Sequence, residues 1–128
     1  MTQSTAVSLL YIDDDPGIGR LVQLRLERSG CVVRLAGDGA AGVELALTES
    51  FDAIALDHYM PGQDGLEVLA VLREFPNMPP VIFVTAAEEP RIAVAALKAG
   101  AADYVVKDVQ GAFLDLLGPT VRHAIEQR

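Results

Sequence analysis

Positive charge is scarce in this chain: 10 Lys and Arg stand against 18 Asp and Glu, for a net charge of −8. That balance argues against a direct grip on nucleic acid or on an anionic membrane, and makes small cations the better-suited ligands. Cysteine is nearly absent. A lone Cys31 cannot form an internal disulfide. It fits a reducing cytoplasm and reads as a small core residue opening an apolar stretch. No apolar run approaches the ~18 residues that a spanning helix needs. Met1-Thr2-Gln3-Ser4 lacks the basic start and long apolar stretch of a signal peptide. Repeats, low-complexity tracts and linkers are missing as well. What remains is a single domain, residues 1–128, 51% apolar and long enough for one hydrophobic core.

Within it, strand and helix patterns alternate five times. Val7 to Ile12 reads as a buried strand, after which Asp15 caps a helix and Pro16 takes its first position. Ile18, Leu21, Val22 and Leu24 to Leu26 follow at helical spacing up to Gly30. Cys31 to Leu35 is the second strand, and Asp38 caps an Ala-rich second helix. Asp52 to Leu56 is the third strand, followed by a Pro61-Gly62 turn and a helix carrying Leu66, Val68, Leu69 and Leu72. Val81 to Val84 and Tyr104 to Val106 are the last two strands, separated by a helix that Gly100 ends. A final helix runs towards Arg128. This alternation predicts an α/β, doubly wound, five-stranded parallel sheet of flavodoxin-like order 2-1-3-4-5, with helices on both faces.

Chemistry gathers where the strands end. Asp13 and Asp14 close the first strand and Asp57 the third, the two neighbours at the switch point where such sheets bind ligands. Thr85 and Lys107 stand at the ends of the fourth and fifth. Three carboxylates forced together need a cation or raised pKa values. Hard oxygen ligands with no histidine or cysteine cluster beside them suit Mg2+ rather than zinc. A divalent ion between Asp14, Asp57 and a phosphoryl oxygen would offset the charge that develops in phosphoryl transfer. Lys107 would add a point charge, and Thr85 one hydroxyl donor.

These residues resemble the receiver domain of bacterial two-component response regulators. The matching motifs are Tyr11-Ile12-Asp13-Asp14-Asp15-Pro16, Leu56-Asp57-His58-Tyr59-Met60-Pro61-Gly62-Gln63-Asp64-Gly65, Val84-Thr85-Ala86 and Gly100-Ala101-Ala102-Asp103-Tyr104-Val105-Val106-Lys107. The resemblance covers essentially the whole chain, Ser8 to Gln127. It implies a phosphoacceptor switch, charged by a histidine kinase or histidine phosphotransfer protein. Asp57 would be the acceptor. Asp13, Asp14, Asp57 and the backbone carbonyl of Tyr59 would bind Mg2+, and Lys107 would contact the phosphoryl oxygens. Thr85 and Tyr104 would form the switch pair, relaying the change to the face of the fourth helix, fifth strand and last helix. On that face Arg91, Lys98 and the Ala-rich fourth helix would meet a second copy or a neighbouring output module. Such a domain is not an independent enzyme, although it assists its own phosphorylation and dephosphorylation. Arg20, Gln23 and Glu27 on the first helix are suggestive of kinase choice.

Departures from the family pattern carry their own expectations. Asp108 stands where the family has a cis-proline, which predicts a trans bond, a differently shaped loop, and an acid tempering Lys107. Tyr59 is bulky two residues past the acceptor, and Ala87 offers no group to position water; both point to slow self-dephosphorylation. Gly118-Pro119 predicts a kink or break in the last helix. That helix ends without a C-cap, which fits an N-terminal receiver of a longer signalling protein. Blander readings stand beside these. Asp15 reads as a helix cap rather than a ligand, Tyr104 could be a half-buried strand aromatic, and His58 and His123 read as ordinary surface or partly buried residues. Three rival functions remain: a degenerate receiver that only docks, a haloacid dehalogenase-type phosphatase, and a flavodoxin-like cofactor binder. The phosphatase would want an acid where Tyr59 stands. The cofactor binder would want a hydroxyl- and glycine-rich loop where three acids follow the first strand.

Overall fold

The computed structural model describes residues 6–86 and 88–128. The readings placed on Met1 to Ser4 and on Ala87 lie outside the described residues. The elements run β1 (Val7–Ile12), α1 (Pro16–Glu27), β2 (Cys31–Ala36), α2 (Gly39–Thr48), β3 (Ala53–Asp57), α3 (Gly65–Arg73), β4 (Val81–Ala86), α4 (Pro90–Lys98), β5 (Asp103–Lys107) and α5 (Phe113–Glu126). The sheet order is β2-β1-β3-β4-β5 and every pairing is parallel, as the alternation predicts. Strands β4 and β5 reach further than the apolar pattern suggests. Thr85 pairs with Val106 and Ala86 with Lys107, so the polar residues at the strand ends still belong to the ladder.

Strand side chains alternate between two cores. Leu9, Tyr11, Ala53, Ala55, Val84 and Val105 pack with Val22 and Leu26 of α1 and with Phe113, Leu117 and Val121 of α5. Leu10, Ile12, Ile54, Leu56 and Phe83 pack with Ala46 of α2, Val68, Leu69 and Leu72 of α3, and Ala96 of α4. Cys31 is buried in the first of these cores, as expected of a small core residue.

The helix starts follow their caps. Asp15 accepts from the Gly17 and Ile18 amides at 2.9 and 3.1 Å, and Asp38 from Ala41 at 2.8 Å. Asp64 and Glu67 form a reciprocal capping box. That box seats α3 against the end of β3. A Cβ on Gly65 would lie 2.6 Å from the Asp57 carbonyl oxygen, 2.8 Å from His58 Cα and 2.9 Å from Phe83 Cζ. Only glycine permits this approach.

Of the kink or break expected in the last helix, the break does not occur: α5 runs continuously from Phe113 to Glu126 with Pro119 inside it. Proline at 119 withdraws the amide that would serve the carbonyl of Asp115, and Asp115 is an exposed residue where water can take that role. Burial of Leu114, Leu117, Gly118, Val121 and Ala124 along one stripe holds the helix together. Among the described residues no helix is long and apolar enough to cross a membrane.

Candidate functional site

Register builds the site. Ile12 pairs with Leu56, so Asp13 and Asp57 emerge side by side at the carboxyl edge of the sheet. The Asp13 amide donates to the Ala36 carbonyl at 3.0 Å and fixes the turn out of β1. Asp13, Asp14 and Asp57 each offer a carboxylate oxygen, all within 4.8 Å of one another. Asp13 is 5% exposed and Asp57 6%, while Asp14 lies open to solvent. Lys107 reaches in from the end of β5, its Nζ 2.8 Å from Asp13 Oδ2 and 3.2 Å from Asp57 Oδ1. The structure thus brings Asp13, Asp14, Asp57 and Lys107 together.

One ammonium cannot neutralise two buried carboxylates and a third beside them. Burial, and then the charge of Asp13, push the Asp57 carboxyl up to about 6, with Lys107 pulling the other way. Burial opposes the Lys107 charge as well, but its hydrogen bond to Asp13 and the charge of Asp57 outweigh it, so its pKa lies above the ordinary lysine range. The cluster is thus short of positive charge. All three donors are oxygens converging on one point, a set that fits a hard divalent cation.

The remaining predicted residues sit around the cluster. Thr85 is buried on the same sheet face as Phe83, away from the face of Lys107 and Val105. Tyr104 pairs with Phe83 in register and is 39% exposed, as the diagonal neighbour of Thr85. The Tyr59 side chain is 55% exposed. Its ring stands edge-on against His58 with centroids 4.7 Å apart, and its hydroxyl donates to Glu89, joining the loop after β3 to the one after β4. Asp15 is the cap of α1, as expected.

Two expectations need correction. Asp108 does not temper Lys107; its Oδ1 accepts from the Phe113 amide at 3.0 Å, and that bond holds its carboxyl below the ordinary range. It spans the loop into α5, whose first residues lack any other side-chain cap. The Lys107–Asp108 bond is trans, as expected. His58, in turn, is neither a surface nor a partly buried residue: it is 5% exposed, packs on Phe83 and has no partner for Nδ1 among the described residues. It follows Asp57 into the α3 side of the sheet, where the next strand position faces the core. Sequence reasoning also missed Tyr11, whose hydroxyl donates to Asp13 Oδ2 at 2.9 Å. The signal was present, since residues two apart on a strand share a face.

Comparison with known proteins assigns this geometry to a class. The family model described as response regulator receiver domain matches residues 9–116. The chain is 42% identical over 108 residues to the transcriptional regulatory protein AfsQ1 of Streptomyces coelicolor, covering 84% of this chain and 48% of that protein. Its fold superposes on the receiver domain of the Francisella response regulator 1452 with a TM-score of 0.84 and 30% identity, over 94% of this chain and 98% of that one. It superposes also on the response regulator TrrA of Thermotoga maritima, solved in complex with Mg2+-BeF, with a TM-score of 0.80 and 28% identity over 92% and 98% of the two chains. The chain belongs to the response regulator receiver domain family, whose members are phosphoacceptor signalling modules. It spans about half the length of the curated relatives it matches.

Proposed function

We propose that Asp57 is the phosphoacceptor of this receiver and that its donor is a phosphohistidine on a histidine kinase or phosphotransfer protein. The observation that carries the reading is the buried Asp57 carboxylate, held within 4.8 Å of Asp13 and Asp14 and bridged to Asp13 by Lys107. Asp13, Asp14, Asp57 and the Tyr59 backbone carbonyl would hold Mg2+, which supplies charge neutralisation for the phosphoryl oxygens when bound.

The chain's own residues do the rest. An Asp57 carboxylate oxygen attacks phosphorus; the O–P bond forms as the P–N bond to the donor imidazole breaks. The imidazole keeps that electron pair and takes a proton. With its pKa raised only to about 6, Asp57 is mostly ionised at neutral pH and so ready to attack. Lys107 turns from the carboxylates to the incoming oxygens, a short swing for a flexible stem. Thr85 and Tyr104, neighbours on one sheet face, carry the change outward by moving the hydroxyl toward the phosphoryl group and the ring inward behind it. The face of α4, β5 and α5 is suited to read it. On α4 a groove of about 430 Å3 is lined by Pro90, Arg91, Val94, Ala95 and Lys98, and this helix would meet a second copy or an output module. Placement in the cytoplasm, beside the kinase, follows from the same reading.

Intact mass after incubation with a small acyl-phosphate donor tests this. A Mg2+-dependent gain of one phosphoryl group, absent from Asp57→Asn, is the expected result. No gain from either a small donor or a phosphohistidine protein would overturn it.

A further inference from the structure

The phosphoacceptor reading leaves the buried hydroxyl of Tyr11, which touches the acids, without a role. The ring is 1% exposed and packs among Leu9, Val22, Val33 and Phe113. An aliphatic or phenyl side chain would fill such a place with no polar atom to desolvate, so the hydroxyl is tolerated there through its hydrogen bond. That bond goes to Asp13 Oδ2, at 2.9 Å.

Asp13 is tied from three directions. Its Oδ1 accepts from the Asp15 amide at 3.0 Å, and its Oδ2 accepts from both Tyr11 and the Lys107 ammonium at 2.8 Å. A carboxylate offers about four acceptor positions, so most are already engaged. The three donors differ in permanence. The Asp15 amide is backbone. Lys107 hangs on a flexible stem and divides itself between Asp13 and Asp57. Tyr11 is a short, stiff side chain fixed by burial of its ring in the core.

When Lys107 turns to a phosphoryl group, it leaves Oδ2, and Tyr11 is the donor that stays. We propose that Tyr11 is a positioning residue that holds the Asp13 carboxylate in its ligand orientation wherever Lys107 points, and so sets the affinity of the acidic cluster for a divalent cation. The proposal rests on the reading of Asp13 as a metal ligand. Partners that orient a metal ligand in this way contribute measurably to affinity, because an unrestrained carboxylate must be ordered by the metal itself.

The test is a Mg2+ titration followed by backbone amide NMR shifts, on wild type, Tyr11→Phe, Lys107→Ala and the double variant. Phenylalanine keeps the ring and removes only the oxygen, and the amide spectrum of each variant reports its fold directly. Tyr11→Phe is expected to weaken Mg2+ binding about 10-fold, and its effect should be larger in the Lys107→Ala background, where Tyr11 is the remaining side-chain donor to Oδ2. A purely structural tyrosine would lower the urea midpoint and leave the Mg2+ dissociation constant within twofold of wild type in both backgrounds; that result would overturn the proposal. Asp13→Asn separates the two layers. If wild type binds Mg2+ as tightly as this variant does, the metal-ligand reading itself fails, and the role of Tyr11 with it.

Discussion

The two ends of the proposed relay are built in opposite ways. At the ends of β1 and β3, Asp13 and Asp57 are buried, hydrogen-bonded and gripped by Lys107. At the edge strand β5, Tyr104 and Val106 lie open, and on α4 Val94 and Leu97 are exposed too. The first region holds charge under tension that one cation or phosphoryl group relieves. The second is thinly covered apolar surface where a ring can move without opening a core. A rigid receiving end and an adaptable reporting end are what a switch needs, since only the loosely packed part can change state at low free energy.

The largest effect should come from Asp57→Asn, which breaks the receiving end outright and leaves no phosphoryl gain in the intact mass. The same variant exposes the stored tension. The folded Asp57 carboxyl titrates at about 6 against 3.8 for the ordinary group, so its stabilising contribution is present below pH 3.8 and is lost as pH rises through 6. Metal-free wild type should therefore lose roughly 2–3 kcal/mol relative to Asp57→Asn between those limits. Urea midpoints at pH 4, 6 and 8 without divalent ions would show this. Parallel profiles for the two proteins would mean that Lys107 already balances the site.

Gly65→Ala should follow, at about 1–3 kcal/mol of lost stability, because the new methyl meets the backbone of β3 and the Phe83 ring. Equilibrium unfolding reads it, and an unchanged midpoint would show that α3 can shift without resistance. Tyr59→Asn tests the boundary between the two regions, since Tyr59 links the loops after β3 and β4 through Glu89. Its aspartyl phosphate should decay faster, followed by loss of the phosphorylated mass after the donor is removed; an equal lifetime would deny Tyr59 a shielding role. The smallest effect belongs to Asp108→Ala. It should speed amide exchange at Phe113 and leave the Asp13–Lys107 pair intact, whereas slowed phosphorylation would tie the loop to the receiving end.

Much of this was legible in residue order. Asp13, Asp14, Asp57 and Lys107 could be placed because each follows an apolar run, and parallel strands all present their carboxyl ends at one edge. Asp108 was misjudged because sequence neighbours on a strand end point to different sides, and Asp108 turned to the amide of Phe113 instead of its neighbour Lys107. Pro119 does not break α5, because the buried stripe along the helix offsets the local penalty. Strand period puts Tyr11 and Asp13 on one face, but only the structure shows that the Tyr11 hydroxyl donates to Asp13.

The sequence by itself determined the alternation of strands and helices, the caps that start α1 and α2, and the identity of the charged groups at the sheet edge. These depend on apolar period and on side chains acting within a turn of themselves. Only the tertiary structure decided how the charges share one another: that Lys107 spans Asp13 and Asp57, that Tyr11 shares Asp13 with it, and that Thr85 and Tyr104 sit on the opposite face. Those outcomes depend on inter-strand register and on burial, which set distance and dielectric for groups far apart along the chain.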